Sequence, residues 1–383
     1  MILLPRPYPD EVIGSVLARG ARHLGLSWGR LLQLAAGRSV SSVPFLMPFA
    51  LERLARCTGT DPELLLEQHT LFPYAVAFMP LERREAFKGR ALGNGDVCAL
   101  DALGHVVLGR TPYRRVCPQC LAEDLERRGE SYWRRAHLLP GVQVCLKHHV
   151  RLQRTGIPIQ GGAATDALLP HDLTLSANAS PLPTEVLESI AFHSVSALIR
   201  RPAERNWLER YWVGAFALGY QLRTRAVAAT VIARDLKRFY GDSFLTSMGA
   251  AVDLRQKSPW PALLVRPRYP TRLATPKHIL MLTFLEHAQP VADLTHAPYR
   301  PPGPRPRDYR EVDRAALRRM RAYLKANVRK GRRLTVRSLI EASGEQPCMK
   351  RFRERFPLSL RFLKRFRRSR YAARRLRDPR PTT

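Results

Sequence analysis

At 383 residues, 45% of them hydrophobic, the chain can fill several cores and is not a disordered tail. Its 64 lysines and arginines stand against 32 acidic residues, a formal net charge of +32, so a polyanion, and above all nucleic acid, is the expected partner. Prolines in the opening "MILLPRPYPDE" and the lack of an apolar run of roughly 18 residues lead us to expect neither a secretory leader nor a membrane span, and six cysteines in so long a chain suit a reducing cytoplasm, with association to the nucleoid, better than a disulfide scaffold.

The elements follow in chain order. "DEVIGSVLARGARHLG" predicts an amphipathic helix, with Asp10 as N-cap, Val12, Ile13, Val16, Leu17, Ala21 and Leu24 on one face, and Gly25 as the stop. "TDPELLLEQH" repeats the start signal with Asp61 as cap and Pro62 at the first helical position, where a missing N–H costs nothing. Residues 1–112 therefore read as an N-terminal helical domain.

Residues 113–153 read as a zinc-finger domain. The pattern Cys117-x2-Cys120-x24-Cys145-x2-His148 pairs two tight turns, each able to aim two ligands at one ion, and closes the four-coordinate shell that Zn2+ prefers. A closed shell leaves no position for water, which makes the site structural rather than catalytic. His149 is the rival fourth ligand; His148 is preferred on the symmetry of the two turns, and His137 is a neighbour or substitute. Cys57, Cys98 and Cys348 have no partner spacing and read as incidental thiols. Between the ligand pairs, Tyr132 and Trp133 adjoin Arg134 and Arg135: the aromatics are expected to fill the core around the metal, while the two arginines face out towards DNA.

Residues 154–184 are rich in Gly, Pro, Ser and Thr and read as a connector, and residues 185–296 return to helical patterns such as "WLERYWVGAFALGYQL" and "AVAATVIARDLKRFYG", the latter closing on Gly241. Crowded prolines mark residues 297–309 as a linker. From residue 300 onward there are 28 basic and 7 acidic residues, a net +21. Residues 310–383 accordingly read as a basic, helix-turn-helix-like DNA-binding domain. Thr335 caps a first helix that Gly344 ends, Pro347 begins a second running through Phe352 and Phe356, and Pro357-Leu358-Ser359 starts a third. In the third, Leu360, Leu363 and Phe366 pack inward and leave Arg361, Lys364, Arg365, Arg367 and Arg368 outside; with Arg351 and Arg353 of the second, they are the candidate contacts to double-stranded DNA. The fold class expected is mainly α and multidomain, with helical domains around a small zinc-binding insert.

Three segments, "PYPDEVIGSVLARGARHLG", "RVCPQCLAEDLERRGESYWRRAHLLPGVQVCLKHHVRL" and "LATPKHILMLTFL", resemble the TniQ/TnsD family of transposon target-site selectors. The resemblance covers nearly the whole chain, most specifically its cysteine segment, and Cys117, Cys120, Cys145 and His148 match the family's zinc pattern. It implies a protein without catalytic activity that recognises a target and recruits an AAA+ ATPase transposition regulator, and through it the transposase, with the N-terminal helices as the candidate dock for the ATPase. Family members either read DNA directly or ride on a CRISPR effector complex as RNA-guided adaptors; the long basic extension favours direct binding. Against an enzyme reading, Asp235, Asp253 and Asp293 sit beside basic residues or within helical patterns and suggest no common two-metal site, and no G-x-x-x-x-G-K-[ST] loop occurs.

Overall fold

The computed structural model describes residues 2–37, 45–93, 113–159, 166–199, 206–220, 227–256, 258–265, 273–289, 308–328, 334–351 and 353–377. They are mainly helical, with one two-stranded antiparallel sheet. The chain divides into two compact units, Met1–Thr295 and His296–Thr383. The prolines of 297–307, like Phe352 and Cys98, lie outside the described residues.

The first unit opens with α1 (Ile13–His23), α2 (Trp28–Ala36), α3 (Leu51–Thr58), α4 (Pro62–His69), α5 (Phe72–Val76) and α6 (Leu81–Leu92). Asp61 caps α4, accepting the N–H groups of Glu63 at 2.8 Å and Leu64 at 3.0 Å. Asp10 does not cap α1, contrary to expectation: Val12 holds that position with no side-chain cap. The reason is tertiary. The Val12 N–H donates to the Trp133 carbonyl at 3.0 Å and the Gly14 N–H to the Phe45 carbonyl at 3.2 Å, so backbone from elsewhere meets the first-turn donors. Gly14 is needed there because a methyl group would run into the Phe45 ring. Gly25, just past α1, has φ +62°, the left-handed conformation that ends a helix most easily with glycine.

Strands β1 (Tyr113–Val116) and β2 (Gln153–Pro158) pair antiparallel, Arg115 opposite Arg154, and enclose α7 (Pro118–Arg128) and α8 (Arg135–Leu138). There follow α9 (Thr184–Ile199), α10 (Asn206–Ala217), α11 (Val227–Tyr240), α12 (Asp242–Ser247), α13 (Trp260–Leu264) and α14 (Thr275–His287). Helix α14 is the axis of this half: Ile279, Leu280, Met281 and Phe284 are buried on every side, as a helix enclosed by neighbours requires, and α5, α9, α10, α11 and α13 pack on it. The Thr275 hydroxyl ties its start to the Tyr74 carbonyl at 2.7 Å. One apolar core runs from Leu4 to Phe284 and takes in Cys117, Cys120 and Cys145.

The second unit holds α15 (Tyr309–Val328), α16 (Val336–Ala342), α17 (Gln346–Arg351), a 3-10 turn (Arg353–Arg355) and α18 (Pro357–Arg377). Thr335 caps α16 by accepting the Ser338 N–H at 3.1 Å, while the Ser338 hydroxyl accepts the Thr335 N–H at 3.0 Å. The second helix is shorter than expected: it ends at Arg351, a 3-10 turn over Arg353–Arg355 follows, and Phe356 before Pro357 is kept out of a helix. Met320, Leu339, Met349, Phe356 and Leu363 form a separate small core.

His278 on α14 is wholly buried, stacked on the Phe78 ring at 4.2 Å with Nδ1 2.9 Å from Tyr211 Oη. Burial pushes its pKa down to about 3. The unfolded chain therefore binds a proton between pH 6.5 and about 3 that the folded chain refuses, and stability falls as pH drops through that window. Between pH 7 and 5 the parent should lose about 2 kcal/mol more than a His278→Gln variant in denaturant titrations; parallel pH slopes would refute the assignment.

Candidate metal centre

Strand β1 runs straight into the first ligand turn. Cys117 is the N-cap of α7 and Pro118 fills the helix's first position, so Cys117 and Cys120 share one turn, with the Cys120 N–H donated to Cys117 Sγ at 3.5 Å. The second turn hangs from an antiparallel bridge between Val144 and Arg151. It is closed by the Cys145 N–H on the Val150 carbonyl at 2.9 Å and the His149 N–H on the Cys145 carbonyl at 2.8 Å.

These turns bring four ligand atoms together. His148 Nδ1 is 3.3 Å from the sulfurs of both Cys117 and Cys120 and 3.8 Å from that of Cys145, and Cys120 and Cys145 sulfurs are 3.8 Å apart. All four atoms lie within 4.8 Å of one another and could hold one metal ion. His149 is not among them. Its φ of +54° turns it out of the cluster, where Nδ1 lies 3.1 Å from Glu188.

The electrostatics suit a cation. Three buried sulfurs cannot all ionise side by side without one: Cys145 is pulled far below the ordinary thiol range by Cys117, then Cys120 and His137, while Cys120 is pushed up by Cys117 and Cys145. On the far side of the imidazole, His148 Nε2 lies 3.0 Å from Glu123 Oε1. Glu123 also pairs with Lys147, and Lys147 first, then His148, hold its carboxyl down at about 2. A carboxylate in that position would fix the ring and leave Nδ1 free to take a metal ion.

Tyr132 and Trp133 are buried, as expected, but of the two arginines beside them Arg135 is buried and Arg134 only partly exposed. Arg134 donates to both oxygens of Asp124, at 2.7 and 3.0 Å, and lies against the Tyr132 ring. Arg135 is 5% exposed; it donates Nε to Asp10 at 3.1 Å and Nη1 to the carbonyls of Glu67 and Thr70 at 2.8 and 3.1 Å. The physical reason is the open end of α4. Its last carbonyls have no partner within the helix, and a guanidinium from the insert supplies the donors. Both guanidiniums thus spend donors on protein acceptors, Arg134 while partly exposed and Arg135 while buried.

Sequence reasoning also missed Glu11, Arg19 and Glu130. Arg19 bridges the two carboxylates at 2.8 Å each, and Glu11 accepts the Tyr8 N–H and the Ser15 hydroxyl as well. Burial pushes Glu11 up to about 7 against the pull of Arg19. The near-helical spacing of Glu11, Ser15 and Arg19 inside an otherwise apolar face was the available signal.

In the second unit Arg353, Arg361, Lys364, Arg365, Arg367 and Arg368 are exposed, while the Arg351 side chain lies outside the described residues. At about 100° per residue, Arg361, Lys364, Arg365 and Arg368 share one arc of α18, opposite the buried Ser359 and Leu363, and Arg367 lies on its flank. Of the remaining candidates, Asp235 accepts the Tyr220 hydroxyl at 3.1 Å, Asp253 accepts the Arg255 N–H at 2.9 Å, and Asp293 lies outside the described residues. Cys57 is buried in the apolar core and Cys348 packs against the core of the second unit.

A compact N-terminal body built around a Cys3His cluster is the class that the geometry defines, and residues 2–152 match the TniQ family model. The Transposon Tn7 transposition protein TnsD of Escherichia coli is 33% identical over 156 residues, or 38% of this chain. The match spans 30% of that relative's length. Together the two findings support the TniQ/TnsD family expected from the cysteine segment.

Cys145→Ala, or exhaustive chelation, should remove one bound metal equivalent and lower the melting temperature of the first unit by about 10 °C or more. Glu123→Ala should keep the metal but weaken it about 10- to 100-fold in competition with a chelator. A Cys145→Ala protein with full metal content and an unchanged melt would dismiss this ligand set.

Proposed function

We propose that this chain is a target-site selector of a Tn7-type transposon that binds double-stranded DNA directly and marks the place for the transposition machinery. The observation that carries the reading is the pairing of a TniQ domain with a separate helical unit whose residues from 300 onward hold a net +21. A similarity to a Tn7 transposition protein supplies the setting. The charge supplies the means, since each neutralised phosphate releases condensed counterions and drives association.

The metal is Zn2+ in this reading. A tetrahedron with zinc–sulfur bonds near 2.3 Å and zinc–nitrogen bonds near 2.05 Å has sulfur–sulfur edges of about 3.8 Å and sulfur–nitrogen edges of about 3.6 Å. The cluster offers 3.8 Å and 3.3 to 3.8 Å for the corresponding separations. Three cysteines and a histidine would fill all four positions, so zinc here braces the fold and activates no water.

The family resemblance assigns the TniQ domain the task of recruiting an AAA+ ATPase regulator and, through it, the transposase, so that the chain itself positions and catalyses nothing. Testing this by deleting the N-terminal helices would mislead, because α1 to α5 share their core with the metal insert. Surface substitutions on α6, where Leu81 is exposed, leave that core in place.

If about eight cationic contacts form, log affinity for duplex should fall against log salt with a slope near −7 in anisotropy titrations of the purified chain without RNA. A slope shallower than about −2 would sink the duplex-tracking surface, and a site-specific shift only when a guide-RNA complex is added would favour an RNA-guided adaptor instead.

A further inference from the structure

Asp313 stands in the first turns of α15 with only 1% of its surface exposed. Its Oδ2 accepts the N–H of Leu358 at 2.8 Å and its Oδ1 that of Ser359 at 3.0 Å, while the Ser359 hydroxyl donates back to the Asp313 carbonyl at 3.4 Å. Leu358 and Ser359 are the second and third residues of α18, which begins at Pro357. Asp313 therefore satisfies two first-turn donors of a helix 45 residues away and sets a carboxylate at its positive end. Tyr309, one turn earlier on α15, closes the same corner, edge-on to Phe356 at 6.1 Å with the Arg355 guanidinium 4.7 Å from its ring.

Helix α18 needs such a clamp. Its 21 residues include nine lysines and arginines and no acid, and like charges at four-residue spacing, as in Arg361/Arg365 and Lys364/Arg368, weaken a helix. The same four side chains make up its exposed cationic arc. Phosphate attraction depends on charge and tolerates a loosely held helix, whereas reading base edges requires side chains delivered in one register.

We propose that Asp313 is a positioning residue for DNA recognition: by clamping the start of α18 it fixes the register in which Arg361, Lys364, Arg365 and Arg368 meet a duplex groove. The proposal rests on the duplex-binding reading above. It predicts a split that loss of charge alone would not produce, with selectivity lost and general affinity kept.

The test uses the full chain, a duplex that the parent selects from a random pool, and an unrelated duplex of equal length in about 0.1 M salt. Asp313→Ala should lower the preference for the selected duplex about tenfold or more, keep affinity for the unrelated one within about threefold, and speed amide exchange at Leu358 and Ser359. Asp313→Asn, which retains one accepting oxygen, should recover an intermediate preference. Parent-like selectivity in Asp313→Ala overturns the clamp and leaves duplex binding standing; a parent that binds no duplex overturns both. Should Asp313→Ala lose its helical signal, Asp313→Asn decides, and parent-like selectivity in it overturns the clamp.

Discussion

The backbone of Trp133 is the point from which the first unit is organised. Its N–H donates to Ser15 Oγ at 3.0 Å and its carbonyl accepts the Val12 N–H at 3.0 Å, so one residue of the cysteine segment is hydrogen-bonded to the start of α1 on both sides. The indole N–H reaches on to the Leu168 carbonyl at 2.8 Å. A residue 1% exposed and held by three such bonds has no second position to relax into. The cysteine turns and the N-terminal helices are thus one body, and a metal held by those turns would also steady the first turn of α1.

Buried arginines carry the same logic outward. Arg19, Arg114, Arg115 and Arg135 are each at most 7% exposed. Arg114 pairs with the buried Asp166 and lies over the Phe45 ring at 3.5 Å; Arg115 donates to the carbonyls of His137 and Leu139. A buried cation is tolerated only when carboxylates or carbonyls replace its water, and removing one partner costs about 3–5 kcal/mol. Arg19, Arg114 and Arg135 are offset by the carboxylates that hold them, so the net charge of +32 is carried by the other cations of the chain.

Elements whose signal is local were legible: the Asp61 cap, the Cys-x2-Cys and Cys-x2-His turns, Thr335 and Pro357 all act within one turn of themselves. What was illegible depends on partners far along the chain. Asp10 is a sound cap by composition, yet its carboxylate accepts from Arg135 and Ala136, and the Trp133 carbonyl already serves the Val12 amide it would have capped. Arg134 and Arg135 look like surface arginines until the open end of α4 and Asp124 are brought beside them. Helix α15 escaped notice for a different reason: Val312, Ala316, Met320 and Leu324 keep a four-residue spacing, but the arginines between them submerge it in charge.

The two units thus use the same residue type in opposite ways. In the first, guanidiniums turned inward are shielded from salt by burial and contribute cohesion; in the second, those on the exposed arc of α18 face solvent, where salt screens them. Raising ionic strength should therefore weaken any attraction of the exposed arc for a polyanion, as proposed above, long before it loosens what the first unit is built from. That asymmetry lets a protein release a polyanion without unfolding. The Cys3His cluster lies in the first unit, while in the second Asp313, a single buried carboxylate, accepts two first-turn N–H groups of α18.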